Sequence, residues 1–149
     1  MQSIEFAAHL QRRAIERGLH YNITKIQKWS YIAYGLYLVV TEGKEALFDD
    51  DRPYCWPYGP VFPNLYYKQK DDPRFFQKIE QGKEFSEFYT KLIDIVLDIF
   101  GKWSASELSS WTHEESKAWD KAYHKNPNIS LKTILSSKDI YQDFKSYIQ

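Results

Sequence analysis

A single cysteine, Cys55, leaves the chain without a partner for an internal disulfide and without the thiol set of a multi-cysteine zinc site. Glycine is scarce: the 6 present form no phosphate-cradling loop, and no serine elbow of the hydrolase type occurs. No apolar run is long enough to cross a bilayer. The opening MQSIEFAAHLQRR lacks a basic segment followed by an apolar core, so no signal peptide is expected. Net charge is absent as well. The balance of 20 basic and 20 acidic residues removes the basic excess of a dedicated nucleic-acid binder. A cytoplasmic protein with no membrane partner is the default expectation.

Aromatic residues are what the chain has in quantity. With 12 Tyr, 9 Phe and 5 Trp they make up 17% of the sequence. Such residues either fill a core or form an adhesive contact surface, and the content suits a homodimer or a hetero-complex equally. Length allows one domain over residues 1–149 that buries roughly two thirds of its unfolded surface. Charge is slightly positive over the first third and slightly negative through the middle, too weakly to name a partner.

Periodicity predicts a mainly α fold: a compact single-domain bundle of six to seven helices. A small β element is expected around residues 47–58, with a further short strand at 131–134. Ser3 is expected to cap a first helix that carries Ala7, Leu10, Ala14 and Ile15 and stops at Gly18. The second runs from Asn22 to Gly43 and is apolar over most of its girth, which marks a central helix. Gly35 within it is expected to admit a close helix crossing. Leu47-Phe48 and Tyr54–Trp56 are expected to form the extended pair, and Pro60 to start the next helix. Residues 71–84 read as a polar connection, the expected place for mobility, with one apolar knot, Phe75-Phe76. An amphipathic helix follows up to Gly101, its stripe of Phe85, Phe88, Tyr89, Leu92, Val96 and Phe100 widened by Ile95 and Ile99. Ser104 and Glu107 have the spacing of a capping box, SKAWDKAY brings Trp119 and Tyr123 inward, and Ser136 or Ser137 caps the last helix.

Signals of catalysis are sparse. His113-Glu114 begins the zinc-peptidase pattern HExxH, but the position that needs the second histidine is Lys117. Asp49-Asp50-Asp51 is best read as a solvated acidic turn, since three successive side chains point apart. Cys55 has no neighbouring activator and reads as a buried thiol. No enzyme activity, metal or cofactor is expected. Arg12, Arg13, Arg17, Lys25 and Lys28 could gather into a nucleic-acid patch, but solvated outer helix faces are the expectation at zero net charge.

Three blocks occur in order: KIQKWSYIAYGLYL, then WPYGPVFPNLY, then LSSWTHEESKAW. Together they resemble the Panacea domain of bacterial antitoxins, the SocA-like group, over roughly residues 4–148. Cys55 departs from the alanine common in that family, and Glu114–Ala118 departs from its glycine-proline approach to Trp119. The extra N-terminal DNA-binding module of some relatives is not expected here. The signature residues carried by the resemblance are Trp56, Pro57, Tyr58, Gly59, Pro60, Val61, Tyr66, Thr112, His113 and Trp119. Prolines that fix φ make the CWPYGPV segment a rigid corner, expected to determine the fold instead of forming an active site. Trp56 is expected to wedge between the central helix and the one ending at Gly101, and Thr112-His113 to tie a helix end.

The resemblance implies an antitoxin that neutralises a cognate toxin encoded beside it, by direct binding or as an adaptor that hands it to the ClpXP protease. Tyr66, Tyr67, Phe75, Phe76 and Tyr89 are the candidate contacts, with Arg13 and Arg17 as polar anchors. The alternatives are a phage or mobile-element protein of the same fold that binds a host factor, a metal-dependent hydrolase using Asp49–Asp51 with His113, and a nucleic-acid binder.

Overall fold

Helical spacing becomes seven helices among the described residues, 1–72, 74 and 85–148, of the computed structural model. In chain order these are α1 (Ser3–Glu16), α2 (Ile23–Val40), α3 (Pro63–Asp71), α4 (Glu87–Phe100), α5 (Ala105–Thr112), α6 (Ala118–His124) and α7 (Ser137–Ile148). A two-stranded antiparallel hairpin, β1 (Tyr54–Trp56) and β2 (Gly59–Val61), lies between α2 and α3. The expected mobility of residues 71–84 and the Phe75-Phe76 knot fall mostly or wholly outside the described residues. None of the described helices is long and apolar enough to cross a membrane.

Helix α2 is the axle of the fold. Every residue from Lys25 to Gly35 is buried, because α1, α4, α5, α7 and the hairpin pack around it. Asn22 accepts the Lys25 backbone N–H at 2.8 Å and so fixes where the helix starts. Gly35 admits the close crossing predicted for it: an added Cβ would stand 2.1 Å from Cδ2 of Phe144 on α7. Trp29 fills the gap between α2 and α4, and its indole N–H donates to the Phe100 carbonyl at 3.1 Å.

Several expectations about boundaries are corrected. Ser3 is not the cap of α1; the cap position is Gln2 and makes no side-chain bond. Asp50 arrives from the loop instead, accepting the Ser3 N–H at 2.8 Å and its hydroxyl at 3.0 Å, which puts a carboxylate at the positive end of the helix. Strand β1 pairs with β2, in the register Tyr54 with Val61 and Trp56 with Gly59, and not with Leu47-Phe48. Pro60 therefore lies in a strand; Pro63 opens α3, where its missing N–H is no loss. Residues 131–134 supply one isolated bridge, Ile134 to Tyr54, because only Thr133 and Leu135 have backbone partners there. Helix α4 starts at Glu87 behind the cap Ser86, so Phe85 precedes it. The capping box on α5 is present: Ser104 Oγ accepts the Glu107 N–H at 3.1 Å, and the Glu107 carboxylate accepts the Ser104 N–H at 3.0 Å.

Ile95 and Ile99 do not widen the buried stripe of α4. They are 49% and 58% exposed, as is much of Ile15 on α1. Helical spacing identifies a face but not whether a neighbour covers it.

Candidate functional site

The polar residues of the KIQK block explain how the hairpin is held. Gln27 makes a two-way clamp: its Oε1 accepts the Phe62 N–H at 2.9 Å, and its Nε2 donates to the Phe62 carbonyl at 3.2 Å. Lys28 Nζ donates to the Pro60 carbonyl at 2.9 Å. Lys25 Nζ reaches toward the Gly101 carbonyl at 3.4 Å and lies over the Trp29 ring. Neither the nucleic-acid patch nor the solvated face expected of these lysines exists, since both are buried. The signal that could have revealed this is the apolar girth of α2, which leaves a lysine on that helix little route to water.

Burial has a price in protonation. Lys28 is 2% exposed and pairs with no carboxylate among the described residues, and desolvation pushes its pKa down to about 8. His113 caps the end of α5, where its N–H is shared by the Ser109 and Ser110 carbonyls. Its pKa is also lowered, first by burial and then by the charge on Lys28; the Tyr58 backbone only partly opposes this. His113 Nε2 is buried and makes no hydrogen bond of ordinary geometry. The imidazole stacks on Trp119 with ring centroids 3.9 Å apart.

Gly59 is the point where these groups converge. Its φ of +119° is one that side-chain-bearing residues rarely adopt, and an added Cβ would stand 2.9 Å from Lys28 Nζ and 3.0 Å from His113 Nε2. Gly59→Ala is expected to destabilise the fold by about 2 kcal/mol or more, since strain in this region alone costs about 1–3 kcal/mol. Urea denaturation checks it; a loss below about 0.5 kcal/mol would show that the turn can relax.

A cavity of about 380 Å³ opens beside Gly59, bounded by Lys28 and His113 inside and by Trp56, Tyr58 and Tyr66 at the rim. Trp56 does not wedge between α2 and α4, a place Trp29 already fills. It lies half-exposed, edge-on to Tyr66 and Tyr67, with its indole donating to the Leu131 carbonyl at 3.0 Å. Trp119 braces the same strand from below, donating to the Trp56 carbonyl at 2.7 Å. Tyr58, at the tip, is 84% exposed. Thr112 does tie the end of α5, its hydroxyl donating to the Ser109 carbonyl at 2.8 Å. Pro57 is exposed at the tip beside Tyr58, whereas Val61 turns inward.

The other candidates lie elsewhere. Tyr67 is exposed on α3 beside Tyr66, whereas Tyr89 is half-buried against Tyr37 and Phe88. Phe75 and Phe76 lie outside the described residues. Arg13 and Arg17 join α1 to α4: Arg13 bonds Asp94 at 2.8 Å, and Arg17 bonds Asp94 at 3.0 Å and Asp98 at 2.6 Å. The acidic run is occupied with structure and does not join His113. Asp49 pairs with the Met1 amino group, Asp50 holds Ser3, and Asp51 accepts the Leu65 N–H at 2.9 Å. No group of three or more potential metal ligands forms among the described residues.

A second concavity lies outside the sequence expectations. It is apolar, also about 380 Å³, and lined by Leu36, Val40, Ile95, Ile99, Trp103 and Tyr147 among others. Its sequence signal is the pair Ile95 and Ile99, apolar positions that exceed what the α2 contact can cover.

Residues 26–120 match the sequence model of the family described as antitoxin SocA-like, Panacea domain. No curated protein and no solved structure matches the chain. The match spans Lys28 of α2, the whole hairpin, His113 and Trp119.

Proposed function

The chain belongs to the SocA-like Panacea family of antitoxins, and from that premise we propose that it neutralises a protein toxin, encoded by an adjacent gene, by binding it directly. The observation that carries this reading is the aromatic face of the hairpin. Trp56, Tyr66 and Tyr67 hold one another edge to face, with centroids 5.4–6.1 Å apart, and Tyr58 projects beyond them. Rigid aromatics lose little freedom on binding and dominate the energy of protein interfaces. Arg13 and Arg17 enter the surface with their charges already paired within the chain, so the aromatics are the stronger anchors.

Co-expression with the neighbouring gene tests the reading. The neighbour's product is expected to arrest growth alone, to be harmless with this chain, and to co-purify with it. Combined Tyr66→Ala and Tyr67→Ala should weaken binding at least tenfold, the scale of about 1.4 kcal/mol that a modest hot spot supplies. Rescue that persists without ClpXP supports direct neutralisation, and rescue that needs the protease supports the adaptor mode. A harmless neighbour, or arrest that this chain does not relieve, would defeat the antitoxin reading; a co-purified host protein would then favour the mobile-element alternative.

A further inference from the structure

A buried cation facing an open cavity with no anion to meet it is an incomplete electrostatic arrangement. Lys28 has three N–H donors, and the Pro60 carbonyl takes one. The cavity wall holds no carboxylate among the described residues, and a second nitrogen that lines it, His113 Nε2, makes no hydrogen bond of ordinary geometry. Both nitrogens stand about 3 Å from the point where Gly59 would carry a Cβ, so glycine keeps the space between them open. The rim is aromatic and apolar, suited to the methylene stem of a ligand whose head reaches the polar floor.

We propose that this cavity is a socket for an aspartate or glutamate side chain of the bound toxin, with the carboxylate accepting from Lys28 Nζ and His113 Nε2 and the stem gripped by Trp56, Tyr58 and Tyr66. The inference rests on the direct-binding reading and supplies its partner chemistry. Charge complementarity selects the occupant: a carboxylate restores the missing counter-charge of Lys28 and gives His113 an acceptor. A neutral amide would leave the ammonium without a counter-charge. The volume is near the lower end of the roughly 300–1,000 Å³ typical of ligand pockets, which is ample for one carboxylate side chain. The aromatic rim that closes over the stem is the same surface offered for the toxin, so one docking event would fill both.

The test needs no toxin, so its failure is separable from failure of the antitoxin reading. N-acetyl-glutamate N-methylamide, its glutamine counterpart and inorganic phosphate are titrated into the intact chain while NMR follows the Lys28 ammonium and His113 imidazole signals. Saturable shifts are expected with the glutamate compound, in roughly the millimolar range for so small a fragment. The glutamine compound should bind at least tenfold more weakly, the order expected from loss of one charged hydrogen bond. Lys28→Met should abolish the response, and Tyr58→Ala, at an exposed position that leaves the fold intact, should weaken it several-fold. Equal response to the glutamate and glutamine compounds overturns the proposal. So does phosphate binding as tightly as glutamate, which would make the cavity a small-anion site, and so does an unchanged response in Lys28→Met. Failure of Lys28→Met to fold shifts the decision to Tyr58→Ala, whose unaltered binding would also overturn it.

Discussion

Gly35→Ala is expected to lower stability by about 2–3 kcal/mol, although alanine is the better helix former. The new methyl group would be placed 2.1 Å from Cδ2 and 2.2 Å from Cε2 of Phe144, far inside van der Waals contact. Phe144 is buried with its ring packed against Tyr31 and Trp111, so to make room it must break those contacts or shift into the apolar concavity that it helps to line. Helix propensity returns at most about 1 kcal/mol, so the clash decides the sign. For a chain of this length, the loss corresponds to a fall in melting temperature of about 5–10 °C. Phe144→Leu should be destabilising alone yet partly rescue Gly35→Ala, with a coupling of about 1 kcal/mol or more in a double-mutant cycle. Strictly additive effects would mean that α2 and α7 shift apart and the close crossing does not hold the bundle.

Gly35 is legible in the sequence because a glycine inside a strongly apolar helix weakens that helix, and it persists chiefly where a neighbour must approach the backbone. The number of helices, the central position of α2, the capping box and the inward-facing Trp119 are legible for similar reasons: each follows from local spacing. Spacing fails wherever several similar residues compete for one place. Five tryptophans compete for the slot against α4, and nothing local says that Trp29 fills it while Trp56 stays at the rim. Three prolines, Pro57, Pro60 and Pro63, sit near the start of α3, and only the hairpin register shows that Pro63 starts it. The lysines of α2 mislead for a different reason. Their charge marks solvent, the apolar girth of the same helix marks enclosure, and the two signals conflict. That conflict is itself the available sign of a special site. Asp50, acting on α1 from 47 residues away, has no local signal at all.

Lys28 makes the second large effect measurable through pH. Its folded-state pKa is near 8, while an unfolded lysine holds its proton to about pH 10.4. Below pH 8 both states are protonated, and the fold carries the full penalty of a desolvated charge. Between about 8 and 10.4 the unfolded chain keeps a proton that the folded chain has released, so this group's contribution to stability rises with pH across that window by about 3 kcal/mol. Tyr31, Tyr34 and Tyr37 are raised by burial, as is the Cys55 thiol, pushed up to about 11; their contribution runs the opposite way, full below the unfolded pKa and lost as pH rises toward the folded one, and it is common to wild type and variant. The difference between the wild type and Lys28→Met removes their common contribution. Lys28→Met should be more stable at pH 7 by about 1–2 kcal/mol, since relief of the buried charge outweighs the lost bond to the Pro60 carbonyl. That advantage should vanish and then reverse toward pH 10.4, where neutral Lys28 still donates to Pro60 while methionine cannot. Urea denaturation at a series of pH values reads it directly, and a difference that stays constant from pH 7 to 10.4 would mean that Lys28 is solvated or already paired. A side chain that weakens the fold near neutral pH, yet faces an open cavity, is best understood through what it binds.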